Sequence, residues 1–161
     1  MQSRIELINF INISSEEKKM VLAWRNHQDI RKWMSNKNEI TLKEHLKYID
    51  SLSTKNDRIY FLVKELDSYL GVIDFTSIKE NEFAEFGVYA KPNLIGIGST
   101  LMNRIIDYAF NILKLKNLIA NVYVNNEKAI NLYKKFNFIE IKKDRDRNGE
   151  FMRMELKNED R

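Results

Sequence analysis

Between Phe83 and Val124 the apolar residues change period twice, from strand spacing to helix spacing and back. Phe83-Ala84-Glu85-Phe86-Gly87-Val88-Tyr89 reads as a strand, and Leu101, Met102, Ile105, Ile106, Ala109, Phe110 and Leu113 then mark one face of a long helix. Leu118 to Val124 is strand-like again. Such a strand–helix–strand crossover demands a sheet that helices cover. The flanking patterns extend it. Arg4 to Phe10 alternates as a first strand, and Ser14 with Glu17, then Thr41 with Glu44, form capping boxes that open two helices. Ile59 to Val63 and Leu70 to Phe75 read as a hairpin around Asp67-Ser68. A shorter helix carries Ala129, Ile130, Leu132, Tyr133 and Phe136, before closing strands at Phe138–Ile141 and Phe151–Leu156. The expected fold is α+β, a mixed central sheet of about seven strands flanked by about four helices.

With 161 residues and no Pro/Gly/Ser linker, the chain is expected to form one domain over residues 1–161. No apolar run approaches the roughly 20 residues that span a bilayer. The start Met1-Gln2-Ser3-Arg4-Ile5-Glu6 meets a carboxylate before any apolar stretch, which argues against a cleaved leader and for a cytoplasmic location, with no membrane partner. Cysteine is absent, so disulfides, a Cys nucleophile and thiolate metal sites are excluded, and no metal is expected. Net charge is +4, but the densest basic stretch, Lys142-Lys143-Asp144-Arg145-Asp146-Arg147, is interleaved with carboxylates and reads as a solvated turn. No clustered basic patch or stacking motif supports a nucleic-acid partner.

Two of the five glycines and the only proline fall within Pro92-Asn93-Leu94-Ile95-Gly96-Ile97-Gly98, between the central strand and the long helix. Glycines permit turn geometries and close backbone approach, and the first turn of a helix offers unpaired N–H groups at its positive end. Together these make an anion site suited to a phosphate, with donors from about Ile95 through Gly96, Ile97, Gly98 and Ser99 to Thr100. The sequence lacks a Walker loop, and Leu101 stands where a dinucleotide fingerprint needs its third glycine. An ordinary glycine-rich turn is the alternative reading.

After the next strand comes Asn126-Glu127-Lys128-Ala129-Ile130-Asn131-Leu132-Tyr133-Lys134-Lys135-Phe136-Asn137-Phe138. Asn126 occupies a helix N-cap position, and Ala129 and Tyr133 share a helical face. Taken alone, these are a cap, a small packing residue and a core tyrosine. Taken with the glycine loop, the spacing resembles the GNAT superfamily of acetyl-CoA-dependent N-acetyltransferases, from about Phe83 to Phe138. Asn93 stands where that family has Gln or Arg in [QR]-x-x-G-x-[GA], and Asn137 replaces the glycine of its Y-x-x-x-G-F ending.

The resemblance implies acetyl-CoA as co-substrate, without a metal. It places coenzyme A pyrophosphate on the amides of residues 95–100, with pantetheine along Gly87, Val88 and Tyr89 and further contacts at Asn126 and Ala129. It gives Tyr133 the role of general acid towards the departing thiolate in a direct ternary-complex transfer. Glu85 is the candidate proton acceptor for the amine; a solvent-facing charge is the alternative. Residues 81–161 become the acetyl-CoA half and residues 1–80 the acceptor half. Acceptor candidates are Trp24-Arg25-Asn26-His27, Trp33-Met34 and His45, core packing being the alternative for the tryptophans, Met34 and His45.

Trp24 to His27, Glu44-His45-Leu46, Tyr60 to Val63, Gly71 to Phe75 and Glu85 to Tyr89, with Pro92-Asn93-Leu94, narrow the resemblance. They are similar to the members that acetylate the 4-amino group of a UDP-linked amino-dideoxy sugar in pseudaminic acid biosynthesis. The implied partner is therefore a UDP-amino-sugar, and homodimerisation is a further implication. Protein N-terminal acetylation, which also uses W-R-N-like first helices, and a non-catalytic acyl-CoA sensor are the rival expectations.

Overall fold

Two capping boxes set the N-terminal helices. Ser14 Oγ accepts from the Glu17 amide and Glu17 Oε1 from the Ser14 amide, at 3.1 and 2.9 Å, opening α1 (Ser15–Asn26). Thr41 and Glu44 repeat the arrangement at α3 (Leu42–Ser51). Between them lies a single helical turn, α2 (Gln28–Arg31), too short for a periodic signal and absent from the sequence reading. The computed structural model describes residues 4–161; Met1, Gln2 and Ser3, where the leader reading begins, lie outside the described residues.

Seven strands form one mixed sheet in the order β1-β2-β3-β4-β5-β7-β6. They are β1 (Ile5–Asn9), β2 (Ile59–Glu65), β3 (Ser68–Lys79), β4 (Phe83–Ala90), β5 (Asn117–Tyr123), β6 (Ile139–Asp146) and β7 (Gly149–Lys157). β4 and β5 pair in parallel and are joined by α4 (Gly98–Asp107), the crossover that the change of period predicts. A π-helical turn at Tyr108–Ile112 prolongs α4, and α5 (Glu127–Lys135) follows β5.

The chain divides into two compact units that interleave in sequence. One comprises Met1–Asp74 with Val88–Ile97, the other Phe75–Gly87 with Gly98–Arg161. The first has a core of Phe10, Ile13, Val21, Trp24, Ile30, Ile49, Leu52, Leu62 and Val72, against which Met34, Tyr60, Tyr69 and Tyr89 pack half-buried. In the second, α4 buries Leu101, Met102 and Ile105, β5 buries Leu118, Ile119 and Ala120, and β7 buries Met152, Met154 and Leu156.

The segment Lys142–Asp146, expected as a turn, is the outer half of β6. Its register runs from Lys142↔Arg153 to Asp146↔Gly149, so the reversal falls at Arg147-Asn148. β6 is an edge strand with almost every residue exposed, and alternating charges are what such an edge tolerates. The charge pattern that looked like a turn is edge protection.

Candidate active site

β4 and β5 pair over three residues only. The ladder runs Phe83↔Asn117, Ala84↔Leu118, Glu85↔Ile119 and stops, although β4 continues to Ala90 and β5 to Tyr123. Within the second unit, Phe86 and Gly87 lie beyond the end of this ladder. An extended ligand carrying amides can add itself to such an edge.

Beyond β4 the chain turns tightly. The Leu94 amide donates to the Lys91 carbonyl at 3.0 Å, with Pro92 and Asn93 in the middle and Asn93 at φ 70°. This is a type II turn, and asparagine tolerates its left-handed third position. The residue that departs from the family pattern thus has a backbone reason for being asparagine. Gly96 is also left-handed, at φ 82°, with open space around it. Among the described residues, none of the amides from Ile95 to Thr100 donates to a side chain or to a carbonyl outside the helix. Ile95 is 82% exposed. Gly98 has a different purpose from Gly96: a Cβ there would meet Leu132 Cδ2 at 3.1 Å, so it seats the first turn of α4 against α5.

The Asn126 side chain accepts from the Ala129 amide at 3.3 Å and caps α5. One turn on, Tyr133 is buried, its ring edge-on to Phe86 at 5.3 Å and 5.9 Å from Phe138. Asn137, at φ 73°, ends the helix in the left-handed conformation that the glycine of the family motif would take. Glu85 precedes Phe86 and so projects from the opposite face of β4. Its Oε1 accepts from Asn121 Nδ2 at 2.9 Å.

The acceptor candidates prove to be bound within the chain. Arg25 donates to the Asn38 and Asn36 carbonyls at 3.0 and 2.6 Å. Asn26 exchanges two 2.8 Å hydrogen bonds with the Ile40 main chain. Together with Arg31, which donates to the Asn26 and Lys37 carbonyls, they staple the 36–40 loop to α1. His27 Nδ1 accepts from the Asp29 amide and caps α2. His45 is buried, and its Nε2–H donates to the Lys18 carbonyl at 2.8 Å, tying α3 to α1. Trp24 is core, edge-on to Tyr69, and Met34 packs on the same core. Trp33 is half-buried with Lys32 Nζ over its ring at 5.4 Å.

The acetyltransferase (GNAT) domain family matches residues 8–139. The chain belongs to that family. Over 142 residues it is 43% identical to acetyltransferase PseH of Campylobacter jejuni (strain 81-176), covering 88% of this chain and 89% of the relative. The crystal structure of C. jejuni N-acetyltransferase PseH in complex with acetyl coenzyme A superposes with a TM-score of 0.80 at 38% identity, over 95% of this chain and 98% of that one. Spermidine N-acetyltransferase from Vibrio cholerae, crystallised with CoA and spermine, has a TM-score of 0.86 at 22% identity, over 98% and 97% of the two chains, which speaks for the fold.

This GNAT chain carries one polar cluster that the sequence reading passed over. Tyr48 donates to the Tyr60 hydroxyl at 3.0 Å and Arg58 Nη1 to the Tyr48 hydroxyl at 3.2 Å. Burial pushes the Tyr60 phenol well above its ordinary range, and the nearby Asp74 carboxylate pushes the same way. Tyr89 is raised for the same two reasons, with the Arg25 guanidinium opposing. The available signal was a charged residue inside the apolar run Gly71-Val72-Ile73-Asp74-Phe75. Gly71 was passed over too: its Cβ would run into the Tyr89 carbonyl, so β3 and β4 approach there as only glycine allows. Among the described residues no group of three His, Asp or Glu could hold a metal ion.

Proposed function

We propose that this enzyme transfers acetyl from acetyl-CoA directly to the 4-amino group of a UDP-linked 4-amino-4,6-dideoxy sugar, the chemistry implied by its resemblance to the pseudaminic acid pathway enzymes. The observation that carries the reading is the 43% identity to PseH across nine-tenths of both chains, joined to a fold shared with PseH in its acetyl coenzyme A complex. The local geometry supports it. Amides from Ile95 to Thr100 that donate to no side chain suit a diphosphate, and the β4 main chain around Gly87, Val88 and Tyr89 is the strand assigned to the amides of pantetheine. Asn126 and Ala129 begin the helix that carries Tyr133.

In this reading Tyr133 protonates the sulfur as the C–S bond breaks. Phenols in water, with a pKa near 10, are matched as proton donors to thiolates whose thiols have pKa values of about 8.5 to 10. Phe86 and Phe138 pack against its ring. Trp33 and Met34 remain the apolar surface offered to the sugar and its 6-methyl group, and Arg25 and Asn26 act on the acceptor by holding the 36–40 loop.

The deciding experiment mixes purified protein and acetyl-CoA with the UDP-amino-sugar, with spermidine, or with a short peptide bearing a free N-terminus, and follows thiol release. Release with the nucleotide sugar alone is expected. Turnover of spermidine or the peptide in its place would overturn the acceptor assignment, and failure of acetyl-CoA to bind would overturn the whole reading.

A further inference from the structure

We infer that Arg153 of β7, with Lys142 of β6, holds the diphosphate of the acceptor nucleotide, an inference that rests on the UDP-sugar reading above. Side chains alternate along β7. Met152, Met154 and Leu156 are buried in the second unit, so Phe151, Arg153 and Glu155 lie on the opposite face, each half-buried. Cross-strand partners share that face. Arg153 stands directly opposite Asn121 of β5 on one side and directly opposite Lys142 of β6 on the other.

Two cations facing each other on neighbouring strands repel. Among the described residues no carboxylate forms an ion pair with Arg153 or Lys142, and neither side chain donates a hydrogen bond. Of the nearby carboxylates, Glu85 accepts from Asn121, Asp144 accepts from the Arg145 amide, and Glu155 lies two residues along β7. Edge protection accounts for Lys142, since β6 is the last strand. It does not account for Arg153, because β7 runs between β5 and β6. A half-buried guanidinium has five donors to satisfy. An anion between the two side chains turns their repulsion into attraction, and a guanidinium grips phosphate oxygens in pairs.

The position suits the reaction. Asn121, beside Arg153, is bonded to Glu85 at the end of the β4–β5 ladder. Adjacent strands are about 4.8 Å apart, comparable to the sugar ring that separates a C1-linked phosphate from a 4-amino group. A diphosphate on Arg153 therefore directs the amine towards the end of that ladder. On the next rung Tyr123 faces Phe151, edge-on at 6.5 Å, with the Tyr123 hydroxyl donating to Asp146 at 2.8 Å. Phe151 is the aromatic surface nearest Arg153 along β7, and a pyrimidine can stack on such a ring. All of these residues belong to the second unit.

The test reads UDP binding by calorimetry with coenzyme A already saturating, so that the coenzyme's own diphosphate site is filled. Wild type is compared with Arg153→Gln, Arg153→Lys and Lys142→Gln, and thermal melts follow folding. Arg153→Gln should weaken UDP binding about 10-fold or more, Lys142→Gln should weaken it less, and Arg153→Lys should recover part of the loss. The difference between wild type and Arg153→Gln should shrink as salt is raised. KM for the UDP-amino-sugar should rise by a similar factor, with kcat and acetyl-CoA affinity near those of wild type. Since one of two facing cations is gone, the Tm of Arg153→Gln should equal or exceed that of wild type. Unchanged UDP affinity and KM in Arg153→Gln overturn the assignment and leave the UDP-sugar reading standing. A wild type that binds no UDP and acetylates spermidine or the peptide instead overturns both.

Discussion

Glu85 and Asn121 are joined by a 2.9 Å hydrogen bond that crosses from the last rung of the β4–β5 ladder to a residue beyond it. Glu85 pairs with Ile119, and Asn121 lies two residues further along β5, where β4 has already departed. The side-chain bond thus fixes where the two strands part. Glutamine can accept the same bond, so Glu85→Gln is expected to keep the acidic limb of the pH–rate profile and near wild-type stability. Glu85→Ala should cost about 0.5 to 1.5 kcal/mol and weaken acetyl-CoA binding. Loss of the acidic limb in the glutamine variant would make Glu85 the proton acceptor instead.

Gly96 and Gly98 separate by substitution. Alanine at Gly96 meets no atom within 4 Å but must hold φ 82°, a strain of about 1 to 2 kcal/mol for a residue with a Cβ. We expect Gly96→Ala to raise the KM for acetyl-CoA several-fold with little change in kcat. Alanine at Gly98 instead meets the end of a leucine side chain at 3.1 Å, which can rotate away. Its cost should appear in Tm and leave the KM nearly untouched. Steady-state kinetics with thermal melts check both.

Tyr133→Phe keeps the ring between Phe86 and Phe138 and removes only the hydroxyl. A lost general acid lowers kcat by about 100- to 10,000-fold. Acetyl-CoA affinity, read by calorimetry, should change little. An unchanged kcat would remove Tyr133 from the mechanism.

Periodicity exposed most of the fold because each strand and long helix buries a regular face. Ser14–Glu17 and Thr41–Glu44 were readable because a capping box is a local contract between two residues. The single turn of α2 was not, since it has no period, and β6 was half hidden because a solvated edge strand carries no apolar alternation. The candidate glycine loop was read from scarce residues, and Tyr133 from its spacing to Asn126 and Ala129. Arg25 and Asn26 were read as ligand contacts because the sequence shows the side chains but not the 36–40 main chain they bond, and His27 because its cap on the single turn of α2 has no periodic signal.

The loop staple makes its own prediction. Arg25 reaches two carbonyls, Asn36 and Asn38, with separate arms of one guanidinium, and lysine has a single point charge to offer. Arg25→Lys should cost about 1 to 3 kcal/mol, since hydrogen bonds to charged donors are lost. Limited proteolysis should then cut within residues 36–40 sooner than in wild type. KM for the acceptor should rise more than KM for acetyl-CoA. Equal proteolysis rates would mean that the loop holds without the staple.

His45 supplies a pH dependence of known sign. Burial holds its imidazole below the ordinary range, and the nearby Lys18 charge adds to that, while the bond to the Lys18 carbonyl opposes it. As pH falls through the ordinary histidine value of about 6.5, the unfolded chain takes up a proton that the folded chain refuses. The unfolded state then binds more protons, so stability drops with falling pH until the lowered folded value is passed. His45→Gln can still donate to the Lys18 carbonyl but cannot titrate. Its Tm should therefore fall less than that of wild type between neutral and mildly acidic pH, measured in matched buffers. Parallel curves for the two proteins would show that His45 is protonated as readily in the folded chain as in the unfolded one.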